Sequence, residues 1–249
     1  MSFFKKDKIS ISKAATIGLA TAGVGIGGYL LYKSFERKRK QKEIESWFPR
    51  WGGSNRALIK YHSGFIEELQ DYDLKFLFTD QQKYYGHVTI KFTTRRGNED
   101  VFLNSMDLAI NKLTVNGKEI PVKEIEGLKK PFFLTIPANQ VRKGENEVSI
   151  AFEGHYGAGE RGLPQFLDKD GNKYLTFRTN LWSNYGIFPC FEQSNFRGKF
   201  RLRVVAPEEW IVSTSTKGES TKTGVEARND DPELKQLGAT EAAFEKTKF

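Results

Sequence analysis

Cysteine occurs once in the 249 residues, methionine twice and histidine three times. The single cysteine, Cys190, excludes an internal disulfide and with it a small stapled secreted module; it fits a reducing compartment or a fold that needs no bridge. His62, His87 and His155 stand 25 and 68 residues apart. No two histidines flank a glutamate at one helical turn, so the H-E-x-x-H zinc pattern is missing and no metal site is expected. No asparagine opens an Asn-x-Ser/Thr acceptor for N-glycosylation. Excess positive charge is missing from most of the chain as well. The formal net charge is +8, yet residues 1–50 hold eleven Lys or Arg against four acids, which leaves 28 basic and 27 acidic residues beyond them. The bulk of the protein has no basic face to grip phosphates, and no nucleic-acid partner is expected.

One stretch lacks charge altogether. Residues 14–32, AATIGLATAGVGIGGYLLY, run nineteen positions without a charged residue of either sign, and at about 1.5 Å per residue they reach about 28 Å, near the thickness of a bilayer's hydrocarbon layer. The expectation is a single transmembrane helix. Gly23 and Gly27, like Gly18 and Ala22, form small-xxx-small pairs that let a neighbouring helix approach. Six basic residues between 33 and 42 extend this helix into solvent and flank it with charge suited to anionic lipid headgroups. Positive-inside counting slightly favours a matrix or cytosolic location for the large domain on the C-terminal side of the span. The segment 1–13, MSFFKKDKISISK, suits an uncleaved mitochondrial address.

Two glycine patterns, GVGIGG at 23–28 and GAGERG at 157–162, satisfy G-x-G-x-x-G on paper. Neither is framed by a strand before and a helix after, so neither reads as a dinucleotide site and no cofactor is expected. DKDG at 168–171 places its glycine too early for a calcium loop and reads as a hairpin turn.

Beyond residue 66 the dominant period is two. In HVTIKF, Val88, Ile90 and Phe92 alternate with His87, Thr89 and Lys91; in KFRLRVV, Phe200, Leu202 and Val204 alternate with Lys199, Arg201 and Arg203. Both read as half-buried strands. Further strands are expected at about 71–78, 105–115, 132–136 and 147–153, with turns at Asn116-Gly117, Asp170-Gly171 and residues 95–100, and with no helical stretch of useful length. The fold class is all-β: an antiparallel β-sandwich or curved, saddle-like sheet behind a single N-terminal transmembrane helix. The expected organisation is a basic segment 1–13, a span 14–32, a basic helical extension and linker 33–65, a β domain 66–215, and a polar loop with a last strand over 216–249.

The order of these segments resembles a known family. YDLKFLFTDQQKYYGHVTIKF, DLAINKLTVNGKEI, LTIPANQVRKGENEVSIAFEGHYGAGERGL, KYLTF and GIFPCFEQSNFRGKFRLRVVAPEEWIVSTS succeed one another as in the N-terminal saddle-shaped β domain of zinc aminopeptidases typified by aminopeptidase N. The likeness runs from about Asp71 to Ser215, and FEKTKF at 244–249 is similar to the strand leading into that family's catalytic domain. The resemblance implies a β domain without the catalytic zinc motif, and the family's Gly-x-Met-x-Asn strand does not occur either.

The stretch FPCFEQSNF, 188–196, carries the cysteine beside an acid. Where the family continues Asp-Glu-Pro, this chain has Glu192, Gln193 and Ser194. Cys190 sits among Phe188, Phe191 and Phe196 with no cation before Arg197, which favours an apolar filler over a reactive thiolate. Glu192 is open to two readings, a buried ion-pair partner or a solvent-facing residue. Upstream, the resemblance places Phe177, Arg178, Thr179 and Asn180 where the family has Thr-Gln-x-Glu, whose glutamine and glutamate bind a substrate's amino terminus. Arg178 would repel that ammonium group and Asn180 has lost the matching carboxylate. No substrate-binding residue is therefore carried over. His87, on the polar side of a strand, and His155, beside a glycine loop, lack a nucleophile elbow, so no Ser-His-Asp triad is expected.

Together these features lead to an expectation of a non-catalytic, single-pass, membrane-anchored accessory subunit. Its partners would be lipid, through 14–32 and the basic flank, and other subunits of a larger complex in the mitochondrial inner membrane, of respiratory-chain type; no small-molecule substrate is expected. One alternative is the N-terminal half of a split zinc aminopeptidase acting with a separate catalytic chain. Another is a peptide-binding module that captures extended segments at a sheet edge.

Overall fold

The period-two stretches fold as strands. The computed structural model describes residues 56–79, 82–157, 163–177, 184–207 and 209–218, together with residues 32, 34–36, 38–40 and 42–46 nearer the N-terminus. The chain divides into two units, Met1–Trp47 and Phe48–Phe249. In the first, the described residues are helical, within the basic extension where a helix is expected. The expected span 14–32 lies outside the described residues except for Tyr32, as do Arg178, Asn180 and residues 219–249. Among the described residues no helix is long and apolar enough to cross a membrane.

The second unit opens with a short helix, α1 (Arg56–Ser63), and then two long strands, β1 (Ile66–Phe78) and β2 (Lys83–Thr94). β3 (Val101–Asn104), β4 (Ala109–Val115) and β5 (Lys118–Ile120) precede a second helix, α2 (Val122–Leu128). β6 (Lys129–Lys130), β7 (Phe133–Ile136), the long β8 (Gly144–Gly157), β9 (Leu163–Leu167), β10 (Lys173–Leu175) and β11 (Lys199–Val205) complete the order. Eight strands form one sheet with the path β10-β9-β8-β2-β1-β11, and the β4–β5 hairpin joins through β4 pairing with β8. A three-stranded sheet, β3-β7-β6, lies apart from it. Side chains of both sheets meet in one hydrophobic core, Val88, Ile90, Phe92, Ile150 and Phe152 from the larger and Val101, Leu103, Leu134 and Ile136 from the smaller.

Local chemistry explains several junctions. Asn116 and Gly117 turn β4 into β5 with φ of 52° and 80°, the left-handed pair that a two-residue hairpin needs and that Asn-Gly supplies cheaply. Gly86 on β2 passes directly beneath the Phe152 ring, which a Cβ would strike. Buried Asn146 holds the start of β8: its Oδ1 accepts from the Arg142 N–H at 3.0 Å, and its Nδ2 donates to the Arg142 carbonyl at 2.8 Å and the Gly144 carbonyl at 2.9 Å.

Four expectations need correction. The large sheet is mixed rather than antiparallel: β11 runs parallel to β1, from Asp71 opposite Lys199 to Leu77 opposite Val205, and β9 meets β8 in parallel. A long connection, 176–198, allows β11 to enter in the same direction as β1, which a short hairpin could not. Second, short helices form where no helical stretch of useful length is expected: α1, and α2, which follows the end of β5 at Ile120 because Pro121 removes a ladder donor and fixes φ at the helix start. Third, the expected strand 105–115 begins only at Ala109: residues 105–108 are an irregular link between β3 and β4, in which Asp107 takes a φ of 56°. Fourth, the polar side of β2 is closed to solvent at its centre, with His87 7% and Tyr85 6% exposed.

Candidate functional site

The residues that look most chemical in the sequence come together at one place. Between β10 and β11 the chain makes a 3-10 turn, Asn184–Gly186, and then lays Ile187–Gln193 across the end of β3. The Asn104 N–H donates to the Cys190 carbonyl at 2.8 Å and the Cys190 N–H returns a bond to the Asn104 carbonyl at 3.0 Å. Met106 N–H donates to the Tyr185 carbonyl at 2.9 Å, and Tyr84 Oη donates to the Ile187 carbonyl at 2.9 Å. Tyr72 Oη, on β1, accepts the Phe191 N–H at 2.9 Å. A loop that would otherwise bury unpaired main-chain groups is thus matched to partners on β1, β2 and β3.

Side chains complete the knot. Asn104 Oδ1 accepts from Gln193 Nε2 at 3.2 Å and from the Glu192 N–H at 3.4 Å. Gln193 Oε1 lies 3.2 Å from His62 Nδ1, and His62 Nε2 accepts the Phe102 N–H at 3.2 Å. Because Phe102 can only donate, the neutral ring carries its proton on Nδ1 and donates it to Gln193. His62 is fully buried among Phe65, Phe102, Phe191 and Phe196, and burial pushes its pKa down to about 4. It is a neutral tether between α1 and the loop, with neither ring nitrogen left for a metal.

Cys190 is 4% exposed, and burial, followed by the adjacent Glu192 carboxylate, pushes its thiol well above the ordinary range. Among the described residues Glu192 fits neither the ion-pair reading nor the solvent-facing one. Half-buried and without an ion-pair partner among the described contacts, its Oε1 accepts the Tyr185 N–H at 3.2 Å and faces Cys190 Sγ at 3.7 Å. Burial raises it to about 7. Burial and the neighbouring carboxylate both disfavour the thiolate, so the buried thiol is unsuited to nucleophilic attack.

The other histidines are elsewhere. His87 Nε2 lies 2.8 Å from Ser149 Oγ across β2 and β8, but the main-chain groups around them are committed to the strand ladder, which leaves no oxyanion hole. His155 is exposed on β8. Among the described residues no group of three or more His, Cys, Asp or Glu side chains is placed to hold a metal.

Next to the knot, the strand pattern ends in an opening. Tyr72 and Phe200 stack with centroids 4.5 Å apart, and Phe188, Phe191, Phe196 and Arg197 close a cavity of about 350 Å³ with them. KFRLRVV does form the strand β11, yet Phe200 is 59% and Leu202 48% exposed, a correction to the half-buried reading. Their β1 neighbours Tyr72 and Leu74 are buried at 2% and 4%. Among the described strands, burial stops one strand short of the sheet's end. Asn104, Gln193 and Tyr72 are structural anchors that sequence reasoning misses, since isolated amides and tyrosines carry no spacing signal; the alternation of bases with Phe200 and Leu202 is visible there but does not reveal an edge.

Residues 68–231 match the Peptidase M1 N-terminal domain. The chain belongs to this family. The matched region is the N-terminal, non-catalytic part of M1 peptidases. Aminopeptidase N of Streptomyces lividans is 22% identical to it over 161 residues, which cover 63% of this chain and 18% of that protein. Yeast LTA4 hydrolase in complex with bestatin aligns with 59% of this chain and 24% of its own at 16% identity, with a TM-score of 0.47. An M1 zinc metallopeptidase from Deinococcus radiodurans aligns with 61% of this chain and 36% of its own at 14% identity, with a TM-score of 0.43. The M1 N-terminal domain of this chain thus corresponds to a minor part of each relative.

Proposed function

We propose that this chain is a non-catalytic protein-docking subunit built on an M1 N-terminal domain. The partner its family favours is an M1-type catalytic domain lying outside these 249 residues. The observation that carries the reading is the use made of Cys190, Glu192 and His62: each is turned inward to hold the 184–193 loop. Chemistry supplied by this chain alone has no activated nucleophile and no water-activating metal set among the described residues. In such an assembly the zinc ion and the amine-recognising acid belong to the partner, since Arg178 and Asn180 replace, in the sequence resemblance, the glutamine and glutamate that recognise the amine.

A second reading is favoured by the uncharged run 14–32: a single-pass accessory subunit of a larger membrane complex, in the mitochondrial inner membrane. Isolation of the full chain from its native membrane in mild detergent, then native mass spectrometry, metal analysis and an aminoacyl reporter assay, tests both. A stoichiometric companion that brings zinc and turnover supports the split-enzyme form. Companions without zinc or turnover support the membrane accessory. A free monomer, or hydrolysis by the chain alone, overturns the docking reading.

A further inference from the structure

We infer that the outer edge of β11 is a strand-addition site for an extended partner segment in which apolar residues alternate with acidic ones, one apolar side chain entering the cavity beside Phe200. The inference rests on the docking reading and names the kind of partner that would be docked.

Three observations converge on it. Among the described residues β11 pairs with β1 alone, so its other edge presents a row of main-chain donors and acceptors to which a further strand can bond. The core face continues past the last strand: Phe200 and Leu202 align with buried Tyr72 and Leu74 but remain 59% and 48% exposed. An added strand would carry its own apolar residues over these two and reach the cavity of about 350 Å³, which is lined by Phe188, Phe191, Phe196 and Phe200. A volume of that size accepts a Leu or Phe side chain, and a buried aromatic or aliphatic anchor is what gives such an interface its affinity.

Charge selects among occupants. Lys199 and Arg201 alternate with Phe200 and Leu202 on β11, and Arg197 stands just before the strand, with no acid between them. On β1, Asp71 and Asp73 stand 4.0 and 3.9 Å from Arg201 and offset it in part, while Arg197 and Lys199 add positive charge beside Phe200. A second copy of β11 laid against it would set bases against bases, a like-charge juxtaposition that is costly across an interface. A partner with acids at every second position sets them against these bases while its apolar residues extend the core face.

The test uses the full chain in detergent micelles and a labelled nine-residue peptide alternating glutamate with isoleucine around a central phenylalanine. Two controls accompany it: the same peptide with lysine for glutamate, and the acidic peptide with alternate amide nitrogens methylated. The expected result is saturable binding of the acidic peptide, weakened about tenfold or more in either control and by added salt. Phe200→Ser with Leu202→Ser weakens it about tenfold while the thermal midpoint holds, because both residues are exposed. Equal binding of the lysine or methylated peptide, or no binding at millimolar concentration, overturns the inference. Binding that appears only after residues 219–249 are deleted assigns the edge to the chain's own tail and overturns it as well, as does concentration-dependent dimerisation that blocks the peptide. A native companion retained by the Phe200→Ser, Leu202→Ser chain overturns the strand-edge inference alone; absence of any companion from the unaltered chain overturns the docking reading.

Discussion

The loop 187–193 and the strand β11 are both rich in aromatic or apolar residues beside charges, and the fold treats them oppositely. In the loop, Phe188, Cys190 and Phe191 are buried and the polar neighbours Gln193 and Asn104 bond each other. On β11, Phe200 and Leu202 face the same side of the sheet as the core yet stay exposed. The difference is one of place, not composition. The loop is laid across β3, within reach of donors and acceptors from three strands, whereas β11 is the last strand of its sheet among the described residues and leaves Phe200 and Leu202 uncovered.

That contrast gives its largest effect in a pair of truncations. Phe191 touches the rings of Phe92, His62 and Phe196, so Phe191→Ala costs about 3–5 kcal/mol by urea unfolding; Phe200→Ala costs under about 1 kcal/mol, since water already reaches that ring. Equal costs would break the comparison. Next in size, Asn104→Ala removes an acceptor of the Gln193 amide and the Glu192 N–H in a closed site and lowers stability by about 2 kcal/mol.

The loop also carries two titrations of opposite sign. His62 falls from 6.5 to about 4 on folding, so its contribution is complete above 6.5 and is lost as the pH falls towards 4. Glu192 rises from 4.5 to about 7, so its contribution is complete below 4.5 and is lost as the pH rises towards 7. Between about pH 4.5 and 6.5 the two slopes oppose each other, with the Glu192 share reduced where solvent reaches its carboxylate. Glu192→Gln unmasks the histidine: stability then drops on acidification through this window by up to about 1.4 kcal/mol per pH unit. A profile that instead falls with rising pH in that variant would contradict the neutral His62 tether.

The smallest effect is kinetic. Cys190 reacts with a thiol reagent only as fast as the loop opens, because its sulfur is buried and its pKa is raised. Fast labelling of the folded chain would instead place the loop with the exposed edge.

Much of this is legible along the chain. The alternation in HVTIKF and KFRLRVV marks β2 and β11, and Asn116-Gly117 marks the β4–β5 hairpin, because strand period and positive φ are local properties. The apolar character of Cys190 is legible too, from its three phenylalanine neighbours. By contrast, α2 escapes notice since a seven-residue helix after a proline leaves too few turns for a period to show. Gln193, Asn104 and His62 escape because Gln193 lies 89 residues from Asn104 and 131 from His62, and no spacing rule links residues so far apart.

What the sequence by itself determined is which segments extend, where they turn, that charge collects near the N-terminus, and the order of elements that marks an M1 N-terminal domain. Only the tertiary structure decided that β11 lies parallel to β1, that Glu192 is half-buried beside Cys190, and that His62 is held neutral. These depend on which distant segment lies alongside, and burial and hydrogen bonding are properties of that neighbour as much as of the residue itself.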